Sequence, residues 1–74
     1  MTERQTLFAD VLLPVPMRQV FTYRVPFEFN ELIRSGLRVL VPFGKNKLLT
    51  GLITNVHQTV PQNYQAKYID TILD

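Results

Sequence analysis

The prolines constrain this chain most. They stand at positions 14, 16, 26, 42 and 61, and each disfavours helical backbone in the residue before it. They leave short runs, and most of these alternate with the period of a strand. Thr6 to Leu13 places Leu7, Ala9, Val11 and Leu13 on one face with Asp10 opposite. Leu13-Pro14-Val15-Pro16 must then continue extended. Gln19 to Val25 forms a second strand, with Phe21, Tyr23 and Val25 on one face and Val20, Thr22 and Arg24 on the other, until Pro26 stops it. Phe27 to Ile33 has room for one helical turn, which Ser35-Gly36 closes. Leu37 to Phe43 is a third strand, apolar on both faces apart from Arg38. Leu48 to His57 is a fourth, and Gly51 within it marks a bulge or bend. Thr59 to Ala66 is polar and reads as a loop, followed by a fifth strand from Lys67 to Leu73. The expected fold is mainly β: a small five-stranded antiparallel, barrel-like (OB-like) sheet with one short helical turn.

A chain of 74 residues makes one small domain and buries only ~60% of the surface its unfolded form exposes. Its 46% apolar content is that of a folded chain, not a disordered one. Cysteine is absent, which excludes disulfides and thiolate metal sites and suits a reducing cytoplasm. The polar opening Met1-Thr2-Glu3-Arg4-Gln5 leads into no apolar targeting segment. The most apolar stretch, Val11 to Met17, is broken by two prolines and too short to span a bilayer. The expectation is a soluble cytoplasmic protein with no membrane partner.

Net charge is only +2, but no carboxylate lies between Leu32 and Ile69, where Arg34, Arg38, Lys45, Lys47 and Lys67 all fall. Such a region is either a solvated basic face or a contact for an anionic partner such as a nucleic-acid backbone. The same choice attends Val39-Leu40-Val41-Pro42-Phe43-Gly44-Lys45-Asn46-Lys47. Its two lysines either solvate an exposed hairpin tip or face something anionic.

Catalytic chemistry finds little support. Gly44-Lys45 lacks the Ser or Thr and the earlier glycine of a phosphate-binding P-loop, since Asn46 and Val39 occupy those places. His57 is the only histidine, so a zinc site would depend on carboxylates. Any nucleophile–histidine–acid arrangement would need that same His57, whose plain reading is a partly exposed strand residue. No pattern pairs two carboxylates for acid–base work. No catalytic and no metal-binding residues are assigned.

Binding chemistry is better served. Single strands are held by cations along the backbone and by aromatic faces on which bases stack. Phe21 and Tyr23 project from one face, and Phe43 and Gly44 end another strand beside Lys45 and Lys47. Core packing is the competing reading for Phe21 and Tyr23, with Tyr23 expected nearer a pocket rim because its hydroxyl needs a partner. Phe27, Phe29 and Leu32 would either serve a protein partner or cap one end of the barrel.

Three segments together resemble one family: Ala9-Asp10-Val11-Leu12-Leu13-Pro14-Val15-Pro16, Phe21-Thr22-Tyr23-Arg24-Val25-Pro26, and Gly36-Leu37-Arg38-Val39-Leu40-Val41-Pro42-Phe43-Gly44-Lys45, with Thr50-Gly51-Leu52-Ile53 following. They are similar to the N-terminal 3′-end DNA-binding domain of the bacterial primosomal replication-restart helicases, the PriA family (primosomal protein N′). The resemblance runs from about Ala9 to Asp74. It implies that residues 1–74 are a single DNA 3′-end-binding domain, an N-terminal fragment of a larger ATP-dependent 3′–5′ helicase, non-catalytic alone. It further implies capture of the nascent leading strand's 3′ end at stalled forks during primosome assembly. The terminal nucleotide would sit among Phe21, Thr22, Tyr23, Gly44 and Lys67, with Lys45, Lys47 and Arg38 facing phosphates. Thr22 departs from the family's usual aspartate, whose carboxylate accepts a hydrogen bond from the 3′-hydroxyl. A neutral hydroxyl makes that bond about half as strong.

The resemblance implies no cofactor for these residues; ATP, Mg and Zn would belong to the rest of the helicase. Implied partners are DNA with a free 3′ end or a fork, the remainder of the helicase chain, and replication-restart and single-strand-binding proteins at the nucleoid. The alternative is a small basic OB- or SH3-like barrel that binds RNA or a protein.

Overall fold

A computed structural model describes residues 5–16 and 19–73. The polar opening at residues 1–4 and Met17, the end of the apolar stretch, lie outside the described residues. Five strands form in chain order: β1 (Leu7–Leu12), β2 (Val20–Val25), β3 (Arg38–Pro42), β4 (Leu48–His57) and β5 (Thr71–Ile72), with a 3₁₀ turn at Phe27–Phe29. All neighbours pair antiparallel in one sheet of order β2-β1-β4-β3-β5. The mainly β expectation and the single helical turn are both met.

The core follows from the alternation. Ala9, Val11 and Leu13 from β1 and its extension meet Tyr23 and Val25, Leu37, Val39 and Val41, and Ile53 and Ile69. Phe8 departs from the pattern, because it is buried on the opposite face of β1, where its ring stacks on that of His57 at 6.2 Å. Phe29, the last residue of the 3₁₀ turn, and Ile33 beyond it pack against the core, whereas Phe27 and Leu32 are exposed. End-capping therefore holds for Phe29 and not for its two neighbours.

Two expectations are corrected. Gly51 is not the bulge: β3 and β4 pair without interruption through Val39 and Gly51. The irregularity lies at Thr54, because Asp10 faces Asn55 while Val11 faces Ile53. Thr54 donates its side-chain hydroxyl to the Asp10 carbonyl at 3.2 Å. Gly51 is needed for space instead. A Cβ there would run into Val11 Cγ1 and stand 2.8 Å from Leu13 Cδ2 and 3.1 Å from the Leu12 carbonyl oxygen.

Lys67 to Leu73 is likewise not one strand. Its first half pairs with β2: Arg24 N–H donates to the Lys67 carbonyl at 2.7 Å, and Ile69 N–H donates to the Arg24 carbonyl at 2.9 Å. This makes a single parallel bridge between Arg24 and Tyr68. The second half crosses to β3, where Asp70 and Leu73 donate to the Leu40 and Arg38 carbonyls. A segment with two different partners cannot keep one ladder throughout. The sheet is therefore not closed, yet its two outer edges are tied by this crossing segment, with Ile69 buried beneath it.

Candidate nucleic-acid interface

At the β2 edge a concavity of about 250 Å³ is lined by Phe21, Thr22, Tyr23, Pro42, Phe43, Gly44, Tyr64, Gln65 and Lys67. The fold brings together here all five residues expected around a terminal nucleotide, although they come from three separated stretches of sequence.

Each is positioned by its element. Tyr23 faces the core from β2 and is 5% exposed. Its hydroxyl donates to the Pro42 carbonyl at 2.9 Å. Tyr23 is thus a floor residue tying β2 to the end of β3, not the rim residue that the hydroxyl argument favoured. Burial, with the charge of Tyr64 adding, raises its phenol above the ordinary value. Phe21 is the half-exposed ring, meeting Phe43 edge-to-face at 5.4 Å and 75°.

Beyond Phe43 the chain turns tightly, with Phe43 N–H donating to the Lys47 carbonyl at 2.9 Å. Gly44 takes a φ of +66°, a conformation that costs glycine little, and a Cβ on it would meet nothing within 4 Å. Its surroundings are open to a ligand. Lys45 and Lys47 are exposed on the same turn, next to the concavity without lining it. Lys67 is exposed at the wall, where its carbonyl is fixed by Arg24.

Arg38 is the exception. It lines a different, more open apolar groove of about 870 Å³ with Leu12, Leu13, Pro14, Val15, Pro16, Thr50, Gly51 and Leu52. Arg38 opens β3, whereas Lys45 and Lys47 lie beyond its other end, so the length of the strand separates them. Among the described residues the larger groove is lined by one cation and no half-exposed aromatic ring, so the smaller concavity has the better chemistry for a nucleotide.

Sequence reasoning missed Tyr64 and the polar residues behind Thr22. Thr22 N–H donates to the Tyr64 hydroxyl at 2.8 Å, and that hydroxyl donates to the Thr22 carbonyl at 3.4 Å. Behind it, Thr22 Oγ1 donates to Asp10 Oδ1 at 2.8 Å, and His57 Nε2 lies 2.8 Å from the same oxygen. Burial disfavours the Asp10 carboxylate, but hydrogen bonds from His57 and Thr22 outweigh it and hold the group below its ordinary range. A lone aromatic in a polar loop was the only available signal for Tyr64. Among the described residues no three His, Cys, Asp or Glu side chains gather as a metal ion would need.

Against known proteins, the model of the 3′ DNA-binding domain (3′BD) family matches residues 10–74. The replication restart protein PriA of Bacillus subtilis (strain 168) is 31% identical over 71 residues, covering 90% of this chain and 9% of that relative. The chain thus spans less than a tenth of the relative's length. No solved structure matches it.

Proposed function

The chain belongs to the 3′ DNA-binding domain family, and from that premise we propose that the concavity at the β2 edge receives the free 3′-terminal nucleotide of a DNA strand. The observation that carries this reading is the meeting of Phe21, Thr22, Tyr23, Gly44 and Lys67 around one cavity of about 250 Å³. Phe21, supported edge-on by Phe43, offers the ring on which the terminal base stacks. Tyr23 forms the floor. Gly44 lets the sugar approach the backbone, and Thr22 Oγ1 accepts from the 3′-hydroxyl. Lys67 faces the phosphate leading into the site, and Lys45 and Lys47 extend the cationic track along the strand.

In this reading the domain serves replication restart, as the name of its Bacillus relative implies. It would mark the nascent 3′ end at a stalled fork for an ATP-dependent 3′–5′ helicase in the same chain, within a primosome assembled in the cytoplasm. Forked DNA, restart factors and single-strand-binding proteins would be its company. ATP, Mg and Zn would act elsewhere in that helicase.

Fluorescence anisotropy on two 5′-labelled DNA oligonucleotides of one sequence tests the core of the proposal. One ends in a free 3′-hydroxyl and the other in a 3′-phosphate. Tighter binding to the hydroxyl end is expected. Equal binding would reduce the site to a basic strand-binding surface. A preference for ribose strands that tolerates a blocked end would move the reading to an RNA-binding barrel. Indifference to nucleic acid at physiological salt would move it to a protein partner.

A further inference from the structure

We propose that Asp10 and His57, neither of which lines the concavity, set its end selectivity: they keep the single hydroxyl proton of Thr22 pointed at the Asp10 carboxylate, so that Thr22 Oγ1 meets a bound strand as an acceptor only. The inference rests on the DNA-end reading above and assigns the residues that distinguish one kind of end from another.

The geometry fixes each proton. Thr22 Oγ1 lies 2.8 Å from Asp10 Oδ1, and an ionised carboxylate has no proton to give, so the threonine is the donor. His57 Nε2 lies 2.8 Å from the same carboxylate oxygen. The other ring nitrogen, Nδ1, accepts the main-chain N–H of Thr59 at 3.1 Å. A nitrogen that accepts carries no proton, so the proton of the ring is on Nε2 and points at Asp10. Asp10 Oδ1 is therefore held by two donors from opposite sides.

The fold keeps this arrangement in place. Asp10 stands directly across from Thr22 on β2 and from Asn55 on β4. His57 lies two residues beyond Asn55, where alternation returns its side chain to the same face of β4. The buried Phe8 stacks on the imidazole and sets its plane. The shift at Thr54 brings Asn55, rather than its neighbour, opposite Asp10.

Selectivity follows from the committed proton. A free 3′-hydroxyl brings its own proton and is accepted by Thr22 Oγ1. A 3′-phosphate offers mainly acceptor oxygens and added negative charge. It finds no donor on Thr22 and a carboxylate one hydrogen bond behind it. An uncommitted threonine hydroxyl would simply rotate and donate to the phosphate.

The test compares affinities for matched DNA oligonucleotides ending in 3′-hydroxyl or 3′-phosphate. The unsubstituted protein is expected to favour the hydroxyl about tenfold, the scale of one well-placed hydrogen bond. Asp10→Ala frees the Thr22 proton and should bring the ratio below about twofold, chiefly by gain at the phosphate end. Asp10→Asn retains an oxygen that can take the proton and should keep the hydroxyl end preferred. If Asp10→Ala weakens both ends equally and leaves the ratio intact, Asp10 is structural and the inference falls while the DNA-end reading stands. If the unsubstituted protein binds both ends alike, the DNA-end reading falls and the inference with it. A readout without any variant is the long-range ¹H–¹⁵N spectrum of His57. A proton on Nε2 alone is expected, and one on Nδ1 overturns the proposal.

Discussion

At the scale of single residues, Gly44 and Gly51 are glycines for opposite reasons. Gly44 supplies a left-handed turn beside open space, whereas Gly51 supplies absence, because Val11, Leu13 and the Leu12 carbonyl occupy the volume of a side chain. Gly51→Ala is therefore an overpacking change, expected to cost about 1–3 kcal/mol. In a domain of this size each kcal/mol lowers the melting temperature by roughly 4–8 °C. Calorimetry returning an unchanged melting temperature would mean that β1 yields freely there. Phe21→Ala removes the half-exposed ring and should weaken binding of a 3′-terminated oligonucleotide by the ~1–3 kcal/mol of one stacked base. Tyr23 makes its prediction at alkaline pH. Its raised phenol pKa favours the protonated form in the fold, so this stability is complete below the ordinary value of 10.0. As pH rises above it the unfolded chain ionises first, and the contribution is lost through the folded pKa. Melting temperatures should fall across that window, and Tyr23→Phe should flatten the fall while costing about 1 kcal/mol at neutral pH. A variant that melts in parallel with the parent at every pH would show that another group controls the alkaline limb.

At the scale of elements, the decisive feature is how the outer edge of β2 is covered. An exposed edge presents unpaired amides and carbonyls to any passing strand. Here Tyr64 holds both backbone groups of Thr22, and the Lys67–Ile69 segment holds those of Arg24. One loop thus protects the edge and forms a wall of the concavity. Tyr64→Phe removes both contacts to Thr22 and is expected to speed amide exchange at Thr22 about fivefold, the effect of one lost hydrogen bond of ordinary strength. Amides of the β1–β4 ladder should be unaffected; equal acceleration there would make Tyr64 a global stabiliser instead. This element also marks the limit of what the sequence discloses. Strands β1 to β4 were legible because residues such as Ala9, Val11, Val39, Val41 and Ile53 alternate within runs whose ends prolines turn away from helix. Phe21, Tyr23 and Gly44 were legible as binding candidates from residue type and strand position, whereas Thr22 and Lys67 joined them only through family resemblance, since no local rule brings Lys67 to Phe21. Lys67 to Leu73 was misread because alternation records a buried face, not which strand lies beside it. Tyr64, Asp10 and His57 were invisible as a group because their contacts span 42 and 47 residues. Such distances leave no periodic trace.

At the scale of the whole molecule, the fold divides a basic stretch that is continuous in sequence. Lys67 lines the concavity and Lys45 and Lys47 flank it, but Arg38 lines the larger groove and Arg34 lies by Phe29, Leu37 and Ile72. Among the described residues of that stretch, three lysines thus stand at or beside the concavity and two arginines stand elsewhere. Salt dependence distinguishes a track of three lysines from a basic face of five residues. Each phosphate neutralised on a single strand contributes about 0.7 to the slope of log affinity against log salt. Three lysines predict a slope near −2.1, so a fourfold rise in salt should weaken binding about twentyfold. Five cations would predict a slope near −3.5 and a loss above about a hundredfold. Lys67→Ala should lower the magnitude of the slope by about 0.7, whereas Arg38→Ala should leave it unchanged. Anisotropy titrations from about 50 to 200 mM salt with one oligonucleotide read all of these numbers together. A slope that falls with Arg38→Ala would mean that the strand continues across β3 into the larger groove. A slope near zero would remove phosphate contact from the account and leave base stacking and the hydroxyl contact to hold the end alone.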